Sequence, residues 1–220
     1  MANVIVFDLD RTVIRMGSYT PFLLCYARTR APWQLALFPI VVILMLIYKA
    51  RIISRGTLKE LMFLLLIGSV KKETLNKTAQ DFADKTIARK CYDGAKSAIR
   101  AHIDNGDTLI LATASFSFYA RLIATQLGFQ HCIGSKLAEN KTHYLPRIIG
   151  ENCYGKAKAD HICSYLKEHD LPETIDTFYT DDVSDLPTLK MAAARVLINP
   201  SNKFKAIAQT LENTRILSWK

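Results

Sequence analysis

The chain has 220 residues and a net charge of +9 at pH 7, and 50% of its residues are hydrophobic. This length fits one domain, or one domain with an insert, and it is sufficient to bury a single core. A charged fraction of 22% and an aromatic fraction of 10% exclude a wholly disordered chain. The five cysteines form no CxxC pair, so we expect reduced thiols and a cytoplasmic protein.

The first predicted element is a short buried strand over residues 3–8, with the sequence NVIVFD. It ends in the acidic sequence DLDRT, in which Asp8 and Asp10 are two residues apart. This spacing directs both carboxylates to the same side of an extended chain, where they repel each other unless a cation lies between them. A hard divalent ion fits, with Asp181 as a third carboxylate.

The excess positive charge lies in one segment. Residues 11–90 contain 14 Lys and Arg against 4 Asp and Glu, whereas the remainder contains 15 against 16. Such a surplus favours an anionic partner, which could be nucleic acid, acidic lipid or a phosphorylated substrate. The segment is strongly aliphatic and lacks the basic, aromatic-rich motif of an RNA-binding module, so we expect no nucleic-acid partner.

Two apolar runs lie within this segment. Residues 31–48 contain no charge and are interrupted by Pro39, and residues 61–70 form a second run that is too short to span a membrane. Three interpretations remain open. The runs could pack into the core of a helical subdomain, lie in a membrane interface with their basic flanks on acidic head groups, or form a transmembrane hairpin. The short second run argues against the hairpin.

From residue 93 onwards, predicted helices alternate with predicted strands. Helices are expected over 94–105, 117–127, 156–169 and 186–194, strands over 108–112, 177–180 and 195–198, and a possible hairpin over 133–149. This alternation is typical of an α/β fold, a Rossmann-like doubly wound parallel sheet covered on both faces. Because the helical segment follows the first strand, it divides one α/β domain and does not precede it.

Polar residues follow three of the predicted strands. They are Asp8 and Asp10 after the first strand, TAS at 113–115 after the second, and TDD at 180–182 after the third, with Asp185 shortly afterwards. Ligands of parallel α/β sheets bind beyond these carboxyl ends, so we expect the residues to meet there. Helix capping would explain Thr113 or Asp185 considered alone, but it does not explain the whole set.

The sequences FDLDRT, LATAS and YTDDVSDLP, with a lysine at a helix start between the last two, resemble the four motifs of the haloacid dehalogenase-like hydrolases. The insert resembles the helical cap of the subgroup that includes phosphoserine phosphatases, subfamily IB. The resemblance implies a catalytic core formed by residues 1–16 and 91–220. It also implies an all-helical cap, apolar and basic, formed by residues 17–90, which we call the insert.

The resemblance also implies catalytic roles. Asp8 would be the nucleophile that becomes an aspartyl-phosphate, and Asp10 would protonate the leaving oxygen and then activate water. The cofactor would be Mg²⁺, held by the Asp8 carboxylate, the Asp10 backbone carbonyl and Asp181, with Asp185 in support. Thr113 would contact the transferring phosphoryl group.

The catalytic lysine is open between Lys158, which has the more typical spacing from Asp181, and Lys156, which otherwise lies near the substrate. The remaining substrate-binding residues are expected to be Arg11, Thr12, Ala114 and Ser115. Arg11 stands where the family most often has glycine, and its side chain could contact phosphate or point to solvent.

The substrate is expected to be a phosphomonoester. Residues 15–19 lack the carboxylate with which phosphoserine enzymes bind the amino group. The apolar, basic insert instead resembles the cap of membrane-associated lipid phosphatases, such as phosphatidylglycerophosphatases of the C type. We therefore expect action on a lipid head group at the inner face of a membrane. A soluble small-molecule phosphatase and a non-catalytic membrane-binding adaptor are the alternatives, and the sequence does not indicate an oligomeric state.

Overall fold

The computed structural model describes residues 2–220. The strands of this part of the chain are Val4–Phe7 (β1), Val70–Lys71 (β2), Thr108–Phe116 (β3), His131–Glu139 (β4), His143–Ile149 (β5), Ile175–Thr180 (β6), Ala192–Ile198 (β7) and Thr214–Leu217 (β8). The α-helices are Tyr19–Arg30 (α1), Phe38–Lys49 (α2), Arg55–Leu66 (α3), Lys72–Lys90 (α4), Asp93–Asp104 (α5), Ser117–Leu127 (α6), Lys156–Glu168 (α7), Leu186–Met191 (α8) and Asn202–Ala208 (α9). Short 3-10 helices cover Pro32–Leu37 and Val183–Asp185.

All eight strands form one sheet in the order β2-β5-β4-β3-β1-β6-β7-β8. The six strands from β4 to β8 in this order are parallel, whereas β5 is antiparallel to β4 and β2 is antiparallel to β5. The predicted Rossmann-like α/β fold is confirmed. The insert is not purely helical, because its strand β2 extends the sheet of the core.

Alternate residues of β1 are buried on opposite faces of the sheet. Ile5 and Phe7 belong to an apolar cluster that includes residues of α5 and α6 and of the insert. Val4 and Val6 belong to a second cluster with residues of α7, α8 and α9. Side chains of a strand alternate between faces, so this central strand is buried between two layers of helices, as in a doubly wound fold.

Three elements near the carboxyl terminus differ from expectation. The helix predicted over 186–194 ends at Met191, because Ala192 and Ala194 pair with Ile175 and Thr177 of β6. Three consecutive alanines favour a helix by intrinsic propensity, but pairing at the sheet overrides that preference. Helix α9 and strand β8 were not predicted. The possible hairpin over 133–149 is present as β4 and β5.

The first apolar run of the insert is mostly exposed. Pro39 lies in the first turn of α2, where proline is tolerated, so it starts that helix and does not kink it. Val41 is buried and Leu44 and Tyr48 pack on the core, whereas the other side of α2 is uncovered. The segment Pro32–Lys49 has a mean hydropathy of 1.7 and is 11% buried, and it is long and apolar enough to cross a membrane. Packing into a protein core therefore does not describe this run.

Candidate active site

The predicted site lies where β3, β1 and β6 end side by side, since these three strands are neighbours in the sheet. A cavity of about 270 Å³ opens at this edge. Residues from all three strand ends, from α7 and from the insert line it: Asp8, Asp10, Arg11, Gly17, Arg55, Thr113, Ala114, Tyr154, Lys158, Asp181, Asp182, Ser184 and Asp185. The fold thus brings together the acidic residues that sequence analysis singled out.

Lys158 connects two buried carboxylates. Its Nζ donates a hydrogen bond of 2.7 Å to Oδ1 of Asp8 and one of 2.8 Å to Oδ2 of Asp185. The Thr180 hydroxyl also donates to Oδ2 of Asp185, at 2.7 Å. Gly155 has a φ of 59°, a conformation that glycine adopts readily, and it turns the chain into α7 just before Lys158. Lys156, by contrast, is exposed on the first turn of α7.

The carboxylates of this cavity are only partly compensated by nearby positive charges. Burial raises the pKa of Asp8 above its usual range, and the charges of Asp185, Asp181 and Asp10 add to this effect, while Lys158 opposes it. Burial, followed by the charge of Asp182, raises the pKa of Asp181 to about 7, although the charge of Arg11 lowers it. Ionised carboxylates in such surroundings are stabilised by a further cation.

Burial alone would lower the pKa of Lys158, but the charges of Asp185 and Asp8 outweigh it and raise that pKa above its usual range. Lys158 therefore stays protonated at neutral pH. One fixed cation serves both buried carboxylates, and their remaining charge faces the cavity.

Hydrogen bonds hold Asp10 in one orientation. Its Oδ1 accepts from the Ser18 amide at 2.8 Å, and its Oδ2 accepts from the Ser115 hydroxyl at 3.0 Å. The Ser18 hydroxyl in turn lies 2.7 Å from Oγ of Ser115 and 3.2 Å from Oη of Tyr119. Residues of the insert and of the core thus fix the same carboxylate.

The other predicted substrate-binding residues occupy different positions. Thr12 is fully buried, and its hydroxyl lies 3.4 Å from Oδ1 of Asp181. Thr113 faces the cavity, and its Oγ1 accepts from the Ser115 amide at 3.0 Å. Arg11 lines the cavity with a φ of 64°, the left-handed region in which glycine is favoured. Ala114 also lines the cavity.

The oxygen atoms at this edge can be compared with the ligands that a divalent cation requires. Among residues 2–220, no group of three His, Cys, Asp or Glu side chains is arranged to hold a metal ion. The set implied by the resemblance is different, because it has two carboxylates, from Asp8 and Asp181, and one backbone carbonyl, from Asp10. Oδ1 of Asp185 is buried, and the Nζ of Lys158 lies 2.8 Å from it. Oxygen donors with this excess of negative charge fit Mg²⁺.

Sequence analysis missed the residues that the insert contributes. Arg55 of α3 lines the catalytic cavity. Lys59, one turn further along α3, donates hydrogen bonds to the carbonyl of the lining residue Ala114 and, at 2.9 Å, to Oδ1 of Asn152. The helical period offered a signal, because Lys59 shares the face of α3 on which the apolar residues Met62 and Phe63 are buried. A charged residue on an apolar face is a candidate for function.

A second cavity, of about 400 Å³, adjoins the first. Asp10, Gly17, Arg55 and Ala114 line both of them. The other lining residues come mainly from α1, α2 and α3 and are mostly apolar or aromatic: Tyr19, Thr20, Pro21, Met45, Tyr48, Leu58, Lys59, Met62 and Ser115. The catalytic edge therefore opens into an amphipathic space beneath the exposed helix α2.

A family model described as haloacid dehalogenase-like hydrolase matches residues 5–190 of the chain. The protein is a haloacid dehalogenase-like hydrolase. The family that the sequence motifs resemble is therefore confirmed, and the matched range includes the acidic residues of both strand ends and the whole insert.

Proteins with known names or structures are similar to this hydrolase. Phosphoserine phosphatase SerB1 of Mycobacterium tuberculosis is 28% identical over 130 residues, which are 59% of this chain and 42% of that protein. The chain spans about half the length of the curated relatives it matches. A protein of unknown function from Bordetella pertussis has the same fold, with a TM-score of 0.83, 24% identity and 99% coverage of both chains. A substrate-bound phosphoserine phosphatase shares the fold at a TM-score of 0.65 and 14% identity, covering 97% of this chain and 92% of that one.

Proposed function

We propose that this hydrolase is a Mg²⁺-dependent phosphatase that cleaves phosphomonoesters through an aspartyl-phosphate on Asp8. The observation that carries the proposal is the position of Asp8 at the end of β1. There it faces the cavity beside Asp10 and Asp181 and is hydrogen-bonded to Lys158. Phosphoryl transfer depends chiefly on positioning and charge neutralisation, and this cavity offers both.

In the first step, a carboxylate oxygen of Asp8 attacks phosphorus and the bond from phosphorus to the ester oxygen breaks. Asp10 gives its proton to the leaving oxygen, which departs as an alcohol. Lys158 stays protonated and offsets negative charge on Asp8 and on the phosphoryl group. Thr113, near the carboxyl end of β3, donates a hydrogen bond to the phosphoryl oxygens.

In the second step, water attacks the phosphorus of the aspartyl-phosphate, and Asp10 takes the proton from that water. The bond from phosphorus to the Asp8 oxygen breaks, and inorganic phosphate leaves. The hydrogen bonds from Ser18 and Ser115 keep Asp10 in place for both proton transfers. Because the water attacks from the leaving-group side, one carboxyl group can serve in both steps.

The residues that would hold Mg²⁺ are Asp8 and Asp181, with the backbone carbonyl of Asp10, and Asp185 would support a ligand of the ion. When bound, Mg²⁺ supplies charge neutralisation at the phosphoryl oxygens. The raised pKa values of Asp8 and Asp181 support this assignment, because a divalent cation would stabilise both carboxylates in their ionised form.

A panel of soluble and lipid phosphomonoesters tests the proposal. Wild-type protein with Mg²⁺ should release phosphate, EDTA should stop the release, and added Mg²⁺ should restore it. The Asp8→Asn protein should be inactive on every member of the panel. Release of phosphate by Asp8→Asn at the wild-type rate would overturn the assignment of the nucleophile.

We further propose that the substrate is a phosphorylated lipid head group and that the insert is a cap that lies on an anionic membrane surface. The exposed side of α2 and the preceding 3-10 helix supports this idea. It carries large apolar side chains that no part of residues 2–220 covers, among them Trp33 (69% exposed), Ile43 (54%) and Leu46 (60%). Apolar exposure of this extent marks an interaction surface.

Charge complementarity favours a lipid surface over an apolar protein partner. Arg28 and Arg30 precede the apolar face, and Lys49, Arg51 and Arg55 follow it. Each basic side chain near an acidic lipid surface contributes about 1 kcal/mol. The second cavity lies beneath α2 and connects with the catalytic cavity, so a head group could reach Asp8 while its acyl chains stay in the membrane. The protein would then be cytoplasmic and peripheral at the membrane.

Sedimentation with vesicles tests the membrane proposal separately from catalysis. The protein should sediment with vesicles of phosphatidylglycerol and phosphatidylcholine at low salt, and less so at high salt. It should not sediment with vesicles of phosphatidylcholine alone. If it stays in the supernatant with anionic vesicles at low salt, and phosphorylated lipids are not hydrolysed, the lipid proposal is wrong.

A soluble small-molecule phosphatase is the second candidate, and the similarity to phosphoserine phosphatase SerB1 favours it. Under this alternative, the protein remains in solution without detergent and hydrolyses phosphoserine faster than any lipid. Residues 15–19 lack a carboxylate that could bind the substrate's amino group, and this argues for the lipid. The same substrate panel distinguishes the two candidates.

A further inference from the structure

One buried cation of the insert is not used by the proposed phosphoryl chemistry. Lys59 is 5% exposed, and no carboxylate in residues 2–220 lies within 4.0 Å of its Nζ. Its hydrogen-bond partners are neutral, namely the Ala114 carbonyl and Oδ1 of Asn152. The Nζ also lies 4.8 Å from the ring centroid of Phe116 and 5.0 Å from that of Tyr19.

The neutral partners of Lys59 share one other donor. The Ser135 hydroxyl lies 2.9 Å from the Ala114 carbonyl and 3.0 Å from Oδ1 of Asn152, and its single proton is donated to only one of these acceptors at a time. Neither acceptor carries a negative charge that would balance the ammonium group. The adjacent carboxylate, Glu60, is directed elsewhere, because its Oε1 accepts from the Ile148 amide at 2.6 Å. A buried ammonium group without a counter-ion is costly, and its retention needs another explanation.

The second cavity provides an explanation for the buried charge of Lys59. Lys59 and Arg55 line that cavity together, and Arg55 and Asp10 also line the catalytic cavity next to it. A substrate whose phosphomonoester lies at Asp8 would place neighbouring groups beside these two cations. An anionic group at this position would receive a charge-assisted hydrogen bond from Lys59, which has three donors and two acceptors in the structure.

We propose that Lys59 is a specificity-determining residue that binds a second anionic group of the substrate, distinct from the phosphoryl group attacked by Asp8. This inference rests on the proposed phosphatase function and narrows its substrate class to phosphomonoesters that carry a further carboxylate or phosphodiester. Burial, followed by the charge of Arg55, lowers the pKa of Lys59 to about 7, although the charge of Asp10 raises it. A bound anion would favour the protonated form of Lys59, which is the form that donates the proposed hydrogen bond.

Matched substrates test the inference. Phosphoserine differs from phosphoethanolamine by one carboxylate. A phosphatidylinositol phosphate carries a phosphodiester in addition to its phosphomonoester, whereas phosphatidic acid carries the phosphomonoester alone. Wild-type protein should have the higher kcat/KM for the doubly anionic member of at least one pair. In Lys59→Met this preference should fall by about tenfold or more, chiefly through KM. The exposed Lys77 of α4 provides a control, because Lys77→Met should keep the wild-type preference.

A preference within the first pair alone identifies a carboxylate as the second anion, and a preference within the second pair alone identifies a phosphodiester. If the wild type has no preference within either pair, or if Lys59→Met keeps it, the inference is wrong. Lys59→Gln, which keeps a donor without the charge, replaces Lys59→Met if that variant does not fold.

Calorimetry separates this inference from the phosphatase proposal. Asp8→Asn protein should bind phosphoserine more tightly than phosphoethanolamine, or the phosphatidylinositol phosphate more tightly than phosphatidic acid. In the double variant that carries both Asp8→Asn and Lys59→Met, this difference in affinity should disappear. This binding is measured without turnover, so the result tests the role of Lys59 even if the phosphatase proposal is wrong. Equal affinities within both pairs for Asp8→Asn protein would overturn the role of Lys59.

Discussion

The catalytic edge of the core and the insert differ in how their buried charges are paired and in how much apolar surface they expose. At the edge, the buried Lys158 is within 2.8 Å of carboxylate oxygens from both Asp8 and Asp185. In the insert, the buried Lys59 has neutral partners, and helix α2 leaves most of its apolar side chains uncovered. The buried lysine of the core is thus paired with carboxylates, whereas the insert contains a buried lysine without a counter-ion and an uncovered apolar face.

This difference indicates a division of labour. Groups that carry out a reaction need fixed positions, and the network around Asp8 and Asp10 provides them. Groups that recognise a substrate or a surface are satisfied only when that partner is bound, so they cost stability in the free protein. We therefore expect substitutions at the edge to affect turnover most, and substitutions in the insert to affect selectivity and binding most.

The largest effect is expected from Asp8→Asn. Removal of the nucleophile should lower kcat by about 10³-fold or more while the melting temperature changes little, because the amide has the same shape as the carboxylate. Phosphate release from an aryl phosphate and thermal unfolding measure the two quantities. Asp160→Asn, on the exposed side of α7, is the control and should keep full activity.

Lys158→Met should reduce both activity and stability. Without its ammonium group, two buried carboxylates lose their shared cation, which should lower the free energy of unfolding by about 3 kcal/mol at neutral pH. Lys156→Met removes a lysine from the same turn of α7 but from an exposed position, and it should leave the free energy of unfolding unchanged. Equal effects of the two substitutions in urea denaturation would contradict the assignment of Lys158.

Leu46→Glu should weaken binding to anionic vesicles by more than about tenfold, because it loses a contact of about 1.5 kcal/mol and adds a repelled charge. A blue shift of the emission of Trp33 reports the binding, in a Trp219→Phe background that removes the other tryptophan. Ile216→Glu is the matched control, since Ile216 is 48% exposed on β8 of the core. Comparable losses for both substitutions would show that α2 is not the contacting surface.

The smallest expected effect is a gain in stability from Lys59→Met, of about 1 kcal/mol. The folded-state pKa of Lys59, about 7, is below its ordinary value of 10.5. The folded protein therefore bears the full cost of this charge below about pH 7, and that cost declines as the pH rises towards the ordinary value. The gain in melting temperature should be larger at about pH 6 than at about pH 9. A gain that does not vary with pH would contradict this account.

The sequence predicted which residues gather at the edge of the core, because these residues follow strands. Asp8, Asp10 and Asp181 lie directly after apolar runs, and parallel strands deliver such residues to one edge. The insert was less predictable. Apolar composition does not distinguish a buried helix from an exposed one, so the sequence alone did not predict the exposure of α2. The hydrogen bonds of Lys59 join parts of the chain that are far apart in sequence, and local patterns do not reveal them.

The alanine-rich segment is another example of a feature that the local sequence does not predict. Ala192–Ile198 is a strand because β6 lies beside it, and the partner strand is not visible in the local sequence. Thr12 is a second example, since its place in the motif suggested substrate contact, whereas in the fold it is fully buried and its hydroxyl contacts Asp181. A motif thus predicts which residues gather at a site better than it predicts the role of each.

The central claim is that Asp8 receives the phosphoryl group and Asp10 moves the protons. Asp10→Asn protein mixed rapidly with p-nitrophenyl phosphate tests it most directly, because nitrophenol leaves without an acid whereas hydrolysis of the aspartyl-phosphate still needs a base. We predict a burst of one nitrophenol per protein molecule, followed by slow phosphate release, and peptide mapping after an acid quench should find the phosphoryl group on Asp8. Release of nitrophenol and phosphate together without a burst, or a phosphoryl group on another residue, would contradict the account.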